Sequence, residues 1–189
     1  MNGVSSVLAA FGLSASAGLN AYIPLLIVSL MARFTDWVTL SKPWDAMSSW
    51  WVIGALAILT LIEFFADKFP AVNHVNDLVQ TFVRPAAGAV LFAASTGAAT
   101  KIHPVVAIIA GLLVAGSVHA TKALAIRPAV TATTAGAGNV PVSILEDLAA
   151  TVLSILAVIL PVVIAALIIV VTAFIVWWLW RRANTPQPA

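Results

Sequence analysis

The stretch "SAGLNAYIP", Ser16–Pro24, interrupts sequence that is otherwise apolar from Val4 to Ala32. Within it, Gly18 to Pro24 brings together a glycine, an asparagine, the only tyrosine of the chain and a proline. Proline has no N–H and frees a carbonyl about one turn earlier, near Asn20. Inside a bilayer a freed backbone group must be met by protein or by a water-filled cavity. The pattern therefore predicts an interrupted or kinked helix. Asn20 and Tyr22 then either line a polar site or pack against a neighbour. Upstream, Gly12, Ser14, Ala15, Ser16, Ala17 and Gly18 form a small-residue surface suited to close helix contact.

The rest of the chain places that break in a membrane. Of 189 residues, 62% are hydrophobic and 8% charged, with mean hydropathy +1.07, whereas soluble domains carry about 25% charged residues. The length fits one integral membrane domain, residues 1–182, with a short polar tail at 183–189. Net charge is +2 with no clustered basic face, which excludes nucleic-acid binding. The absence of cysteine removes disulfides, thiolate catalysis and sulfur metal sites. No Lys or Arg precedes the first apolar run, so that run is expected as a retained membrane segment and not a cleaved leader.

Five apolar stretches approach the ~20 residues that a crossing needs: Val4–Ala32, Trp50–Ala66, Leu78–Ala94, Pro104–Ala120 and Leu148–Trp180. Trp37, Trp44, Trp50 and Trp51 mark one interface; Trp177, Trp178 and Trp180 beside Arg181 and Arg182 mark another. The last stretch is longer than one crossing requires and holds Pro161. Without polar turn residues around Pro161 it reads as one kinked helix. Positive-inside counting instead favours a sixth crossing. The expected fold is all-α and polytopic, with five or six transmembrane helices.

A short internal echo accompanies this layout. "AGLNAYIP" has a counterpart in "ALAIRP" (Ala123–Pro128), and Phe69–Thr81 one in Val140–Thr151. Three segments precede the second copy, an odd number, so the halves would form an inverted repeat. Interrupted helices in inverted repeats are a secondary-transporter signature.

Ionisable residues inside apolar segments are costly and count by default as functional candidates. Glu63 and Asp67 lie one turn apart on one helical face, and Arg84 or Lys122 could neutralise Glu63. Asp77 and Arg84 are two turns apart, whereas His74 beside Asp77 reads as a solvated loop histidine. His119 and Lys122 share a face ahead of Arg127-Pro128. Gly136, Gly138 and Asn139 lead to Ser143 and Glu146, which fit an S-x-x-E capping box. Glycine-rich backbone before a helix, with Lys and Arg nearby, also suits an anion, although no Gly-Lys-Ser/Thr triplet makes it a nucleotide loop. The alternative is that these cations neutralise Glu63, Asp67, Glu146 and Asp147. Glu146 and Asp147 are adjacent and diverge on a helix, so they cannot share one reacting atom.

Several of these motifs occur together: LNAYIP (Leu19–Pro24), ADKFP (Ala66–Pro70) followed by Asp77, RPAAG (Arg84–Gly88), HATKALAIRP (His119–Pro128) and GNVPVSILED (Gly138–Asp147). Through them the chain resembles, over about residues 10–160, a family of small bacterial membrane proteins known as domain of unknown function four-one-two-six. The resemblance implies an integral protein of the bacterial cytoplasmic (inner) membrane. It brings no activity, cofactor or catalytic residue.

The expected function is a small transporter or channel. Its substrate site comprises Asn20, Tyr22, Arg84, His119, Lys122, Arg127 and Asn139, with Glu63, Asp67, Asp77 and Asp147 in coupling or ion pairing. Lys, Arg and glycine amides tilt the substrate towards an anion or a phosphate-bearing head group. No enzyme and no cofactor is expected, and the partners are membrane lipid and a small ion or anionic solute. Small-residue faces on so small a chain also fit a homodimer. A different class is a non-transporting scaffold or partner subunit with a buried ion-pair network. A third is a lipid-phosphate enzyme, which would need Asp67, Asp77 and Asp147 to converge on Mg²⁺.

Overall fold

The computed structural model of the chain describes residues 3–68, 70–97 and 100–160, together with Val170 and Trp177, and their side chains apart from those of residues 70–75 and 77. The second half of the last apolar stretch, with Pro161 and the Arg181-Arg182 pair, lies outside the described residues, and so does the choice between five and six crossings. Among the described residues there is no strand. The helices are α1 (Gly3–Leu19), α2 (Tyr22–Phe34), α3 (Trp50–Ala66), α4 (Pro70–Gly97), α5 (Pro104–Thr121), α6 (Arg127–Thr134) and α7 (Asn139–Ile159). A 3₁₀ turn, Trp44–Ser48, precedes α3, and a π-helical segment, Lys122–Ile126, joins α5 to α6.

The first apolar stretch folds back on itself. Ser16 donates to the Ala150 carbonyl at 2.7 Å and meets Ser154 at 2.7 Å, and Asn20 reaches Asp147. So α1 descends α7 towards the N-terminal end of that helix. Beyond the break the chain climbs again, because Asp36 and Trp37 share a pocket with Val158 and Ile159 at the C-terminal end of α7. A side chain at Gly97, where α4 ends, would meet Ser41. The two arms thus return to the face where α1 starts, near Thr100 and Ile102. Val4–Ala32 is therefore not one interrupted crossing but a helical hairpin with its tip at Asn20-Ala21. At 1.5 Å per residue α1 is about 26 Å long, so a tip entering from one face reaches deep towards the other.

Local chemistry explains the reversal. The Asn20 side-chain oxygen accepts from the Tyr22 and Ile23 amides at 3.1 and 3.0 Å, capping α2 from two residues ahead. Pro24 sits in the first turn of α2, where its missing N–H has no partner to lose. The π segment has a similar origin. Pro128 cannot donate, and its ring crowds the carbonyl four residues earlier. The turn ahead of it widens, and the Arg127 amide bonds the Lys122 carbonyl, five residues back. Between α6 and α7 the chain turns through Ala135 (φ 51°) and Gly136 (φ 88°), left-handed positions that suit the glycine. The α7 helix begins at Asn139, so Ser143 lies one turn inside it and caps nothing.

Small residues hold the bundle together. Gly88 on α4 faces Gly111 and Ala115 on α5 so closely that a Cβ at Gly88 or Gly111 would collide with the opposite backbone. Ser14 donates to the Gly88 carbonyl at 2.9 Å. Such contacts let helix backbones approach where lipid supplies no hydrophobic drive. Large apolar side chains point outwards instead, including Trp51, Leu61, Phe65, Leu113, Leu124 and Leu145. Buried polar groups and an apolar exterior mark an all-α helical membrane protein. Among the described residues, three helical runs, Leu78–Gly97, Pro104–Thr134 and Asn139–Ile159, are long and apolar enough to cross a bilayer.

The hairpin fixes which positions share a face. Single cysteines replacing the exposed Val4 and Asp36 in this cysteine-free chain should react with an impermeant maleimide from the same side of the membrane. One replacing Thr133 should react from the other. Labelling of Val4→Cys and Asp36→Cys from opposite sides would mean that the chain runs straight through at Asn20.

Candidate functional site

Where the hairpin tip ends, most of the intramembrane charges of the chain collect. Glu63, in the last turn of α3, is buried with 1% of its surface exposed, and Arg84 on α4 is fully buried. The Arg84 Nη2 lies 2.9 Å from Glu63 Oε1 and 3.7 Å from Asp67 Oδ2. Asp67 in turn lies 3.9 Å from Arg127 Nη2, which is 2.8 Å from Glu146 Oε2. Lys122 Nζ reaches the same Glu146 oxygen at 2.9 Å. Glu63, Arg84, Asp67, Arg127, Glu146 and Lys122 thus alternate in sign around the tip.

Both ends of this ladder touch the hairpin. Lys122 donates to the Leu19 carbonyl at 3.2 Å, one of the carbonyls freed where α1 ends. At the other end, the Tyr22 phenol lies beside Gln80, within electrostatic reach of Glu63 and Arg84. A branch adds Asp147, which accepts from Asn20 at 2.9 Å and from Lys68 at 3.1 Å. Asp67 also accepts from Asn76 at 2.6 Å and, more weakly, from Ser143 at 3.5 Å.

His119 joins as a neutral ring. Its Nδ1 is 3.3 Å from Arg84 Nη1, and an arginine can only donate. Nδ1 therefore accepts, the proton sits on Nε2, and Thr81 lies 3.3 Å beyond it. Lys122 also closes one side of a pocket of about 210 Å³ lined by Leu19, Ser117, Val118, Thr121 and Ile126.

The structure gathers Asn20, Tyr22, Glu63, Asp67, Arg84, His119, Lys122, Arg127 and Asp147 into one cluster. It does not bring Asn139 there: that side chain donates to Thr131 at 3.0 Å, at the turn between α6 and α7. The Asp77 side chain lies outside the described residues. Glu146, which the sequence offers as half of a capping box, is instead the shared partner of Lys122 and Arg127. Lys68, Asn76, Gln80 and Ser143 are further members. Of these, Gln80 carried a readable signal, a fully polar amide four residues before Arg84 and so on its face. Glu146 and Asp147 point to different partners, as their adjacency requires. Among the described residues no three His, Asp or Glu side chains converge as a metal site would. Asp67 and Asp147, two of the three acids considered for Mg²⁺, face different cations.

A helical membrane fold with a buried, sign-alternating charge cluster is the class that these features define. The chain belongs to the family described as Domain of unknown function (DUF4126), whose model matches residues 7–182. The match covers the hairpin from residue 7 onwards and every charged residue of the cluster. No curated protein and no solved structure matches the chain.

The ladder predicts a particular stability pattern. Removing one partner strands a buried charge at a cost of about 3–5 kcal/mol, whereas replacing a whole pair by apolar groups is far milder. Glu63→Ala should therefore lower the unfolding midpoint in detergent strongly. The double variant Glu63→Leu/Arg84→Met should recover most of that loss. Equal destabilisation of the two proteins would count against a coupled pair.

Proposed function

We propose that the chain is a small secondary transporter of the bacterial cytoplasmic membrane, with its substrate site at the hairpin tip. The observation that carries the reading is the meeting of two broken helices: Lys122, in the π segment before Arg127-Pro128, donates to the Leu19 carbonyl at the Asn20 break. Discontinuous helices whose ends converge on charged groups within the membrane are how many membrane carriers build substrate sites. The N-terminus of α2 presents positive dipole to the cluster, and the C-terminus of α1 presents negative dipole next to Lys122. The fold-back at Asn20 removes the odd count on which an inverted repeat depended: α1 and α5 run in the same direction into their breaks, so on this reading the two breaks are corresponding elements of a parallel repeat.

The cargo is an anion or a phosphate-bearing head group. It would reach Lys122 and Arg127 by taking the place of the Glu146 carboxylate that both now hold. No covalent chemistry is required of the protein, and the surrounding lipid and a small anionic solute are its partners. A second reading, a non-transporting scaffold, is favoured by one observation: each cation of the ladder already lies within ion-pair distance of a carboxylate.

Uptake into proteoliposomes separates the two. Wild-type protein should accumulate at least one of phosphate, sulfate or a small organic phosphate, and Lys122→Met should reduce that uptake to the level of protein-free liposomes. If wild-type vesicles take up none of these anions, or the variant transports as well as wild type, the transport reading fails and the scaffold reading stands.

A further inference from the structure

We propose that Glu63 is a proton-binding group of this site, so that an anionic substrate enters the cluster together with a proton. The inference rests on the transport reading above, and it begins from charge arithmetic. Among the described residues the cluster holds four carboxylates, Glu63, Asp67, Glu146 and Asp147, and four cations, Lys68, Arg84, Lys122 and Arg127. His119 adds no charge, because its Nδ1 accepts from Arg84. These eight described charges therefore balance. A bare anion added to them would leave an uncompensated buried charge, which costs several kcal/mol even after relaxation. One proton taken up with each negative charge restores neutrality.

Geometry chooses the carboxylate. Asp67 faces two arginines and accepts from Asn76. Glu146 also has a donor-free oxygen, Oε1, but its Oε2 is held between two cations at 2.8 and 2.9 Å, and both favour its charged form. Asp147 is engaged through both oxygens, by Asn20 and Lys68. Glu63 alone joins a single close cation with an oxygen that has no donor. Its Oε1 receives Arg84, while its Oε2 is buried with no hydrogen-bond donor. Gln80, one turn before Arg84 on the same face of α4, also has a buried side-chain oxygen without a donor. Two acceptors on this side of the cluster thus lack a hydrogen, and buried acceptors left so are expensive. A proton on Glu63 Oε2 turns one of them into a donor.

The charged and titratable groups around Glu63 fit this exchange. Tyr22 approaches from α2, Arg84 from α4, Asp67 from the next turn of its own chain, and Lys122 from the π segment. His119 on α5 stands behind Arg84. When Glu63 is protonated, Arg84 keeps Asp67 as its counter-ion, and the cluster carries one positive charge in excess. That charge is the one an anion neutralises. The proton comes from water and forms only the O–H bond on Oε2; when the anion leaves, the proton returns to water and no electrons are transferred.

Infrared difference spectroscopy of the full-length protein in liposomes reads the proton directly. Acid-minus-neutral spectra should show the carbonyl band of a protonated carboxylic acid, and Glu63→Gln should lose it. Gln80→Leu, which keeps the acid and removes a polar amide that shares its Tyr22 neighbour, should shift the band and guards against a Glu63 variant that fails to fold. Where anion uptake is measurable, Glu63→Gln should abolish its dependence on pH, since the amide mimics the protonated acid. A band that survives unchanged in Glu63→Gln, a band that Gln80→Leu leaves in place, or a signal that follows sodium and not protons would overturn the proposal. Anion uptake in a protein without a Glu63 band would leave the transport reading standing and sink this one alone.

Discussion

At Leu19 a backbone carbonyl is left without an amide partner, and Lys122 meets it. Much of the fold follows from that need. In lipid an unsatisfied backbone group costs several kcal/mol, so a hydrophobic helix cannot end or turn in mid-membrane unless polar groups are waiting. The ammonium of Lys122 answers the end of α1, and the amide of Asn20 answers the start of α2. A lysine drawn that far inside needs its own counter-charge, which Glu146 provides. Glu146 shares Arg127, Arg127 approaches Asp67, and Asp67 leads through Arg84 to Glu63. The break and the charge ladder each make the other tolerable.

The same dependence gives the fold its capacity to act. A buried ion pair is poor evidence of added stability, since apolar residues of equal volume often do as well or better. A chain of alternating charges is different from a set of isolated pairs, because each interior member has two partners and can lean towards either. Loss of charge at one place is felt at the next. The hairpin is tied to both ends of the ladder, so a change at Glu63 or Lys122 bears on the same tip. Its α1 arm packs through Ser14, Ser16 and Gly18, whose contacts are with the backbone or small groups of neighbouring helices.

Much of this was legible in the sequence, and the failures are instructive. The membrane class followed from composition, and the break from Asn20, Tyr22 and Pro24. Glu63 and Arg84 stood out because charge inside apolar segments has to be paired. The fold-back at Asn20 was not legible: two arms of one hairpin have the same hydropathy as one long interrupted crossing, and only their contacts with opposite ends of α7 tell them apart. Glu146 was hidden by a spacing rule, since Ser143 and Glu146 match a capping box whether or not a helix begins there. Here α7 starts four residues earlier. Asn139 looked like a member of the site because it borders glycines and cations, but the turn between α6 and α7 consumes it locally.

An experimental structure of the protein in a lipid nanodisc tests the central claim most directly. The account predicts that Lys122 Nζ will be found on the Leu19 carbonyl, Asn20 on Asp147 and Arg84 on Glu63, all around one hairpin tip buried in the bundle. A single helix continuing through Asn20, with Lys122 and Glu63 separated by packed apolar side chains or facing lipid, would contradict it.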